Sequence, residues 1–198
     1  MPHAHHDSRR RQIARAVFDL ISERGMEGAT LREAATRAGV SLGAVQRCFS
    51  TKEEMVVFVM DHMNRQVSQR IRAALPDPAD PEAAMETLEH TLAGILALDA
   101  PSQAETRVWL AFTAQAVHHP QLAALHREQY AALTDLLTLL LRTAHDRGQA
   151  RPDLDIDAEA DALLTLTDGL NVQLLLGHHT PDTARTALTR RINTLRPR

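Results

Sequence analysis

Aromatic residues are scarce in this 198-residue sequence: they make up only 3% of it, against 44% hydrophobic residues overall. A core must therefore be built from Leu, Ala, Val and Met, which favours helices over strands, and alternating β-type runs are missing too. The single cysteine, Cys48, excludes a disulfide framework and points to a reducing compartment. No apolar run reaches spanning length and no signal-peptide pattern is present, so a soluble, cytoplasmic protein is expected, with no membrane partner. The sequence also lacks a Gly-x-Ser-x-Gly elbow, a phosphate loop, a His-Glu-x-x-His pair and a dinucleotide fingerprint. Without such a constellation we expect no catalytic residue, no cofactor and no metal. The pairs His118-His119 and His178-His179 fall at predicted helix ends, where imidazole suits terminal carbonyls better than metal.

Charge of one sign is scarce locally. Up to Lys52 basic residues outnumber acidic ones, whereas acidic residues dominate the remainder of a chain whose formal net charge is −3. Only the first segment suits a polyanion. Lys52 is the sole lysine among 22 basic residues.

The stretch Thr30 to Lys52, TLREAATRAGVSLGAVQRCFSTK, reads as two short helices joined by a tight turn. Thr30 stands three residues before Glu33, a capping box, and Leu31, Ala34, Ala35 and Ala38 follow at helical spacing. Gly39 ends that helix, Val40 plugs the turn, and Ser41 caps the next helix. Gly43 allows a backbone or phosphate close approach. Val45 and Phe49 turn inward, leaving Leu42, Ala44, Gln46 and Arg47 outward, with Arg32 on the preceding helix. In a helix-turn-helix the second helix lies in the major groove and its outward side chains meet base edges.

A helix ending in Arg24-Gly25, a Thr-led helix, Ala-Gly-Val-Ser, a glycine, then Phe49, Lys52 and Glu54 resembles the N-terminal domain of TetR-type transcriptional regulators. The match covers residues 8–55. It departs at Gln46, where the family usually has an aromatic residue, most often Tyr; glutamine instead suits pairing with adenine N6 and N7. Lys52, in the first turn of a helix, suits a phosphate, and the resemblance implies the same role.

MPHAHH is expected to be a disordered leader. The first helix should start near Asp7 or Ser8 and run to Arg24, burying Ile13, Val17, Leu20 and Ile21, with the arginines at 9, 10 and 11 near the DNA backbone. A fourth helix, capped at Ser50 or Thr51, should reach about Leu75. Prolines at 76, 78, 81, 101, 120, 152 and 181 punctuate the rest into helices near 82–98, 103–118, 121–147, 157–177 and 182–195, with a capping box at Ser102 and Glu105. The expected fold is all-α with about nine helices. A three-helix DNA-binding domain (residues 8–52) precedes a helical-bundle effector and dimerisation domain (residues 53–198).

The eighth helix is hydrophobic nearly all round, which suits burial on two faces. In TetR-type proteins the last two helices pack against their copies in a second subunit, and DGLNVQLLLG resembles the C-terminal half of the BetI-type subgroup. That resemblance implies a homodimer through Leu166, Leu170 and Leu174 of the eighth helix and Leu188, Ile192 and Leu195 of the ninth. Polar groups on inward stripes suggest a cavity for a small-molecule effector. Its candidate lining is His62, Met63, Gln66, Trp109, Phe112, Thr113, Tyr130 and Asn171. The reading is a dimeric repressor on an inverted-repeat operator in double-stranded DNA, released by that effector. The alternatives are a DNA-binding dimer without an effector, and a helical enzyme without DNA affinity.

Overall fold

The computed structural model describes residues 2–74 and 83–197, with side chains from Asp7 onward. Among the described residues there are nine α-helices and no strand. They are α1 (Pro2–Arg24), α2 (Leu31–Ala38), α3 (Leu42–Cys48), α4 (Lys52–Ala74), α5 (Ala84–Gly94), α6 (Ala100–Ala116), α7 (Pro120–Asp146), α8 (Ile156–Leu175) and α9 (Pro181–Asn193). The all-α, nine-helix expectation holds.

Local chemistry explains most helix ends. Thr30 Oγ1 accepts the Glu33 N–H at 3.1 Å, and Ser41 Oγ accepts the Ala44 N–H at 3.2 Å, satisfying first-turn donors of α2 and α3. Gly39 adopts φ 65°, and the following Val40 N–H returns to the Ala35 carbonyl at 3.0 Å. A side chain in that left-handed conformation would be strained, so glycine is required there. α7 and α8 close in the same way, with Gln149 N–H on Ala144 O and His178 N–H on Gln173 O.

Several boundaries differ from expectation; α5, expected near 82–98, ends at Gly94. α1 begins at Pro2 rather than Asp7, because proline is tolerated in a first turn and nothing between it and Asp7 breaks a helix. α6 begins at Ala100, since Asp99 and not Ser102 is the cap. The Asp99 carboxylate accepts the Ser102 N–H at 2.9 Å, and Ser102 Oγ accepts the Asp99 N–H at 3.0 Å. The Ser102 hydroxyl, which donates to Asp99 Oδ1 at 2.5 Å, and then the Ser102 N–H hold the Asp99 carboxyl below its ordinary range. The expected connection through Pro76, Pro78 and Pro81, and the approach to Leu75, lie outside the described residues.

The chain divides into two compact units. One comprises Met1–Gln66 and Ala104–His126, the other Val67–Gln103 and Arg127–Arg198. The compact units do not part at Lys52, the boundary expected from the sequence: the first part of α4 clusters with α1 to α3. In the first unit α1 packs on α2 and α3, burying Ile13, Val17, Leu20 and Ile21 as expected, together with Val45, Phe49 and Met55. In the second, α5, α7, α8 and α9 share one core through Leu88, Leu92, Leu137, Leu141, Leu163 and Leu188. Polar contacts fix α9 within it: Arg191 pairs with Glu159, Thr189 donates to Glu89 at 2.5 Å, and the Arg151 N–H donates to Leu195 O at 2.8 Å.

This core takes up most of the side chains expected at a dimer interface. Leu170, Leu174, Leu188, Ile192 and Leu195 are all buried within the protomer, and Leu166 packs against the same core. A side chain already excluded from water has no surface to give to a second copy. The leucine stripe of α8 therefore faces inward. Its outward side carries Ala162, Thr165, Gly169 and Leu176, the last 66% exposed. Ile192→Ala should accordingly cost about 2–5 kcal/mol of folding stability by removing buried methylenes and leaving a cavity. Urea unfolding at two protein concentrations checks this: a loss in ΔG independent of concentration is expected from a core position.

Candidate nucleic-acid interface

α3 is held on every side except one. Below it, Val45 and Phe49 are fully buried and Cys48 is nearly so. At its N-terminal side the turn is tied to α1 by Gln12, whose Nε2 donates to Ala38 O at 2.9 Å. Arg37 makes a two-pronged pair with Glu23, at 2.9 and 2.6 Å, fixing the end of α2 against α1. The hydrogen bonds from Arg37 hold the Glu23 carboxyl below its ordinary range. At its C-terminal side the Phe49 N–H returns to Val45 O at 2.8 Å, and Thr51 Oγ1 then accepts the Glu54 N–H at 3.0 Å to start α4.

What remains outward is the candidate reading surface. Gln46 and Arg47 are exposed, as are Ser41, Thr30 and Arg32. Leu42, Gly43 and Ala44 are half-buried. A Cβ added at Gly43 would meet only an Arg47 Nη1 at 3.7 Å, an ordinary contact. Nothing within the chain demands glycine there, and the Arg47 guanidinium lies back along α3 toward its N-terminal turn.

Two basic residues make contacts within the chain. Arg10 turns inward: its guanidinium stacks over Phe49 at 4.8 Å and over Phe58 at 4.6 Å and pairs with Glu54 at 3.2 Å. Two aromatic faces and a carboxylate together form a site suited to a planar cation. The Lys52 Nζ donates to Met26 O at 2.7 Å, closing the 3-10 turn Met26–Gly28 onto α4. An ammonium has three donors, so this bond leaves capacity for a phosphate.

The residues expected around an effector fall into both compact units, and each group is described by itself. In the first, Trp109, Phe112 and His126 form a stacked cluster: Trp109–His126 centroids lie 4.7 Å apart and Phe112–His126 centroids 6.0 Å apart. Thr113 Oγ1 lies 3.2 Å from His126 Nε2 and donates to Trp109 O at 2.9 Å. His62 stacks on Phe58 at 6.3 Å, and Met63 is buried. Gln66 does not join an inward stripe, being exposed. In the second unit, Asn171 serves the backbone. Its Oδ1 accepts the Ala97 N–H at 2.8 Å and its Nδ2 donates to Ile95 O at 3.0 Å, bracing the turn after α5. Tyr130, packed against the core, is hydrogen-bonded to Asp168. Burial raises both the Tyr130 and the Asp168 pKa above their ordinary ranges.

His126 and Asp168 are absent from the expected set. Each carried a signal: His126 and Tyr130 continue the apolar stripe from Leu122 to Leu137, and Asp168 sits one turn beyond the buried Leu164.

Comparison with known proteins settles the class. The family model for bacterial regulatory proteins of the tetR family matches residues 13–57, and that for the C-terminal domain of BetI-type transcriptional repressors matches residues 84–197. This protein belongs to the TetR family of transcriptional regulators. Among similar proteins, the HTH-type transcriptional regulator PksA of Bacillus subtilis is 34% identical over 86% of this chain and 80% of its own. The regulator BetI of Cronobacter sakazakii is 32% identical over 91% and 87%. Among solved structures, a transcriptional regulator from Rhodococcus superposes with a TM-score of 0.81 at 31% identity, covering 94% of this chain and 95% of its own. A regulator from Saccharomonospora viridis, solved in complex with choline, reaches 0.88 at 25% identity over 97% and 100%. DNA binding and transcription regulation are thus the activity, and the relatives are regulators rather than enzymes.

The stacked His126 sets a pH dependence. Burial lowers its pKa below 6.5, and burial, then Arg65, Arg11 and Arg15, lower that of His62. A depressed histidine binds fewer protons folded than unfolded, so stability is retained above the ordinary value and falls as pH drops through about 6.5 toward the folded value. His126→Gln should flatten the decline in urea midpoint between about pH 7.5 and 5.5. An unchanged slope would mean the ring titrates as if in water.

Proposed function

We propose that this TetR-family regulator is a homodimeric repressor that reads an inverted-repeat operator through α3 and is released by a small organic cation, acting in the cytoplasm. The observation that carries the DNA reading is the exposure of Gln46 and Arg47 on a helix pinned at both ends. Glutamine suits adenine N6 and N7, and arginine suits guanine O6 and N7, so these two carry base readout. Thr30, Arg32, Ser41 and Lys52 face the backbone, with Leu42, Gly43 and Ala44 allowing α3 to approach the groove. One such helix contacts too few base pairs for specificity, and a two-fold dimer doubles them. The second copy would cover the outward side of α8, where Ala162, Thr165 and Gly169 permit close approach beside exposed Leu176.

Two tests address this part. Footprinting should reveal a palindromic site, with affinity falling steeply as salt rises because phosphate contacts release counterions; a single half-site would sink the dimeric reading. Gln46→Ala should cost about 1–3 kcal/mol and relax preference at one base pair, whereas Lys52→Ala should weaken all sequences alike.

The effector reading draws on the BetI-type match and on the choline held by the Saccharomonospora viridis regulator. Asp168 beside Tyr130 offers a desolvated carboxylate and an aromatic face, the pairing a quaternary ammonium favours. Trp109, Phe112, Thr113 and His126, with His62 and Met63, offer stacked rings in the other unit. Choline should release operator DNA from the wild type, and Asp168→Asn should weaken that release at least tenfold while sparing DNA affinity. Trp109 is the sole tryptophan, so its emission reports whether the stacked cluster responds. Release by choline that Asp168→Asn leaves intact would remove Asp168 from the site. An operator complex indifferent to choline would end the cation reading and leave the DNA reading standing.

A further inference from the structure

We propose that Arg10 is a positioning residue for operator recognition: it sets the reading helix through Phe49 and Phe58 without touching DNA itself. Its guanidinium lies between the two rings, 4.8 Å from the Phe49 centroid and 4.6 Å from the Phe58 centroid. The rings meet edge to face at 5.4 Å, so the three groups form one stack. Phe49 is the C-cap residue of α3 and is fully buried, whereas Phe58 sits two turns into α4. Arg10 itself comes from the first half of α1. The stack therefore joins three helices at the point where α3 ends and α4 begins.

A second set of bonds fixes the same corner. Glu54 Oε1 accepts from Arg10 Nη2 at 3.2 Å, while Glu54 Oε2 accepts the Ser50 N–H at 2.8 Å, within the loop between α3 and α4. One carboxylate thus ties the loop to the cation and the cation to both rings. A planar guanidinium suits this place because it can stack on two faces and donate in its own plane at once, which a lysine ammonium cannot do. Because α3 is only seven residues long, its orientation depends on such neighbours, and a loosened corner would tilt Gln46 and Arg47 away from the base edges they must meet.

Positioning and phosphate contact have different signatures. Loss of a phosphate contact lowers the slope of log affinity against log salt by about one and weakens every sequence alike. Loss of positioning weakens the specific complex, leaves that slope unchanged, and leaves non-specific affinity in place. Arg10→Met keeps the length and apolar bulk of the side chain and removes the cation. It should lower affinity for an operator selected from a random DNA pool by about tenfold or more, with the salt slope and affinity for scrambled DNA unchanged. Glu54→Gln keeps an acceptor for the Ser50 N–H but removes the ion pair. It should give a smaller loss of the same kind, and the double variant should lose less than the two effects added. A slope lowered by about one, an equal loss on both DNAs, or no loss would each overturn the proposal. Should Arg10→Met fail to fold by circular dichroism, Glu54→Gln and Arg10→Lys carry the same comparison; Arg10→Lys is expected to retain charge yet still lose specific affinity.

Discussion

A helix of seven residues makes too few hydrogen bonds of its own to persist in water, since the first turn fixes several dihedrals for a single bond. α3 is such a helix, and everything around it in the first unit can be understood as supplying what it lacks. Ser41 satisfies a donor at its start, Gly39 turns the chain into it, and Val45, Cys48 and Phe49 give it a buried underside. Gln12 and Arg37 hold the preceding helix and turn to α1. Once these demands are met, one side of α3 is left in solvent, and its chemistry is that of Gln46 and Arg47. The reading surface is the part of a short helix that support from neighbours does not consume.

The same constraint explains how the arginines are distributed. A run of positive charge near the start of a DNA-binding chain invites the view that all of it meets phosphate. Here Arg10 lies on two rings, Arg37 forks onto Glu23, and Arg47 lies exposed along α3. The first two positions use the planar, five-donor geometry of guanidinium rather than its charge alone. Net charge attracts a polyanion at long range, while only some of the groups that generate the field touch it.

The helix-turn-helix was legible in the sequence because its signals are local: a threonine and a serine at the caps, a glycine at the left-handed position, an apolar plug between. Each of those residues does its work within a few positions of itself. The second unit was less legible because its decisive contacts are distant in sequence. A helix that is apolar nearly all round gives no indication which stripe faces its own core, and in α8 Leu163, Leu164, Leu170 and Leu174 all do. Asn171 on an inward stripe read as a group awaiting a ligand, yet a side-chain amide can serve one N–H and one carbonyl, and the turn after α5 supplied both. The pairing of Asp168 with Tyr130 is not legible in the sequence, because only the fold brings the two together.

α4 carries the remaining step. It is a single uninterrupted helix from Lys52 to Ala74, anchored in two chemically distinct ways. Its first turns are bonded through Glu54 to Arg10 and Ser50. Near its other end, Ile71 occupies the space where a side chain at Gly94 would be, 2.6 Å from a Cβ built there, and Arg70 donates to the Gly94 carbonyl at 3.2 Å. An α-helix resists shortening along its axis because shortening it would break its hydrogen-bond ladder. The absence of a side chain at Gly94 makes the close seating possible, and the guanidinium of Arg10 ties the far end of the same helix to the corner where α3 ends.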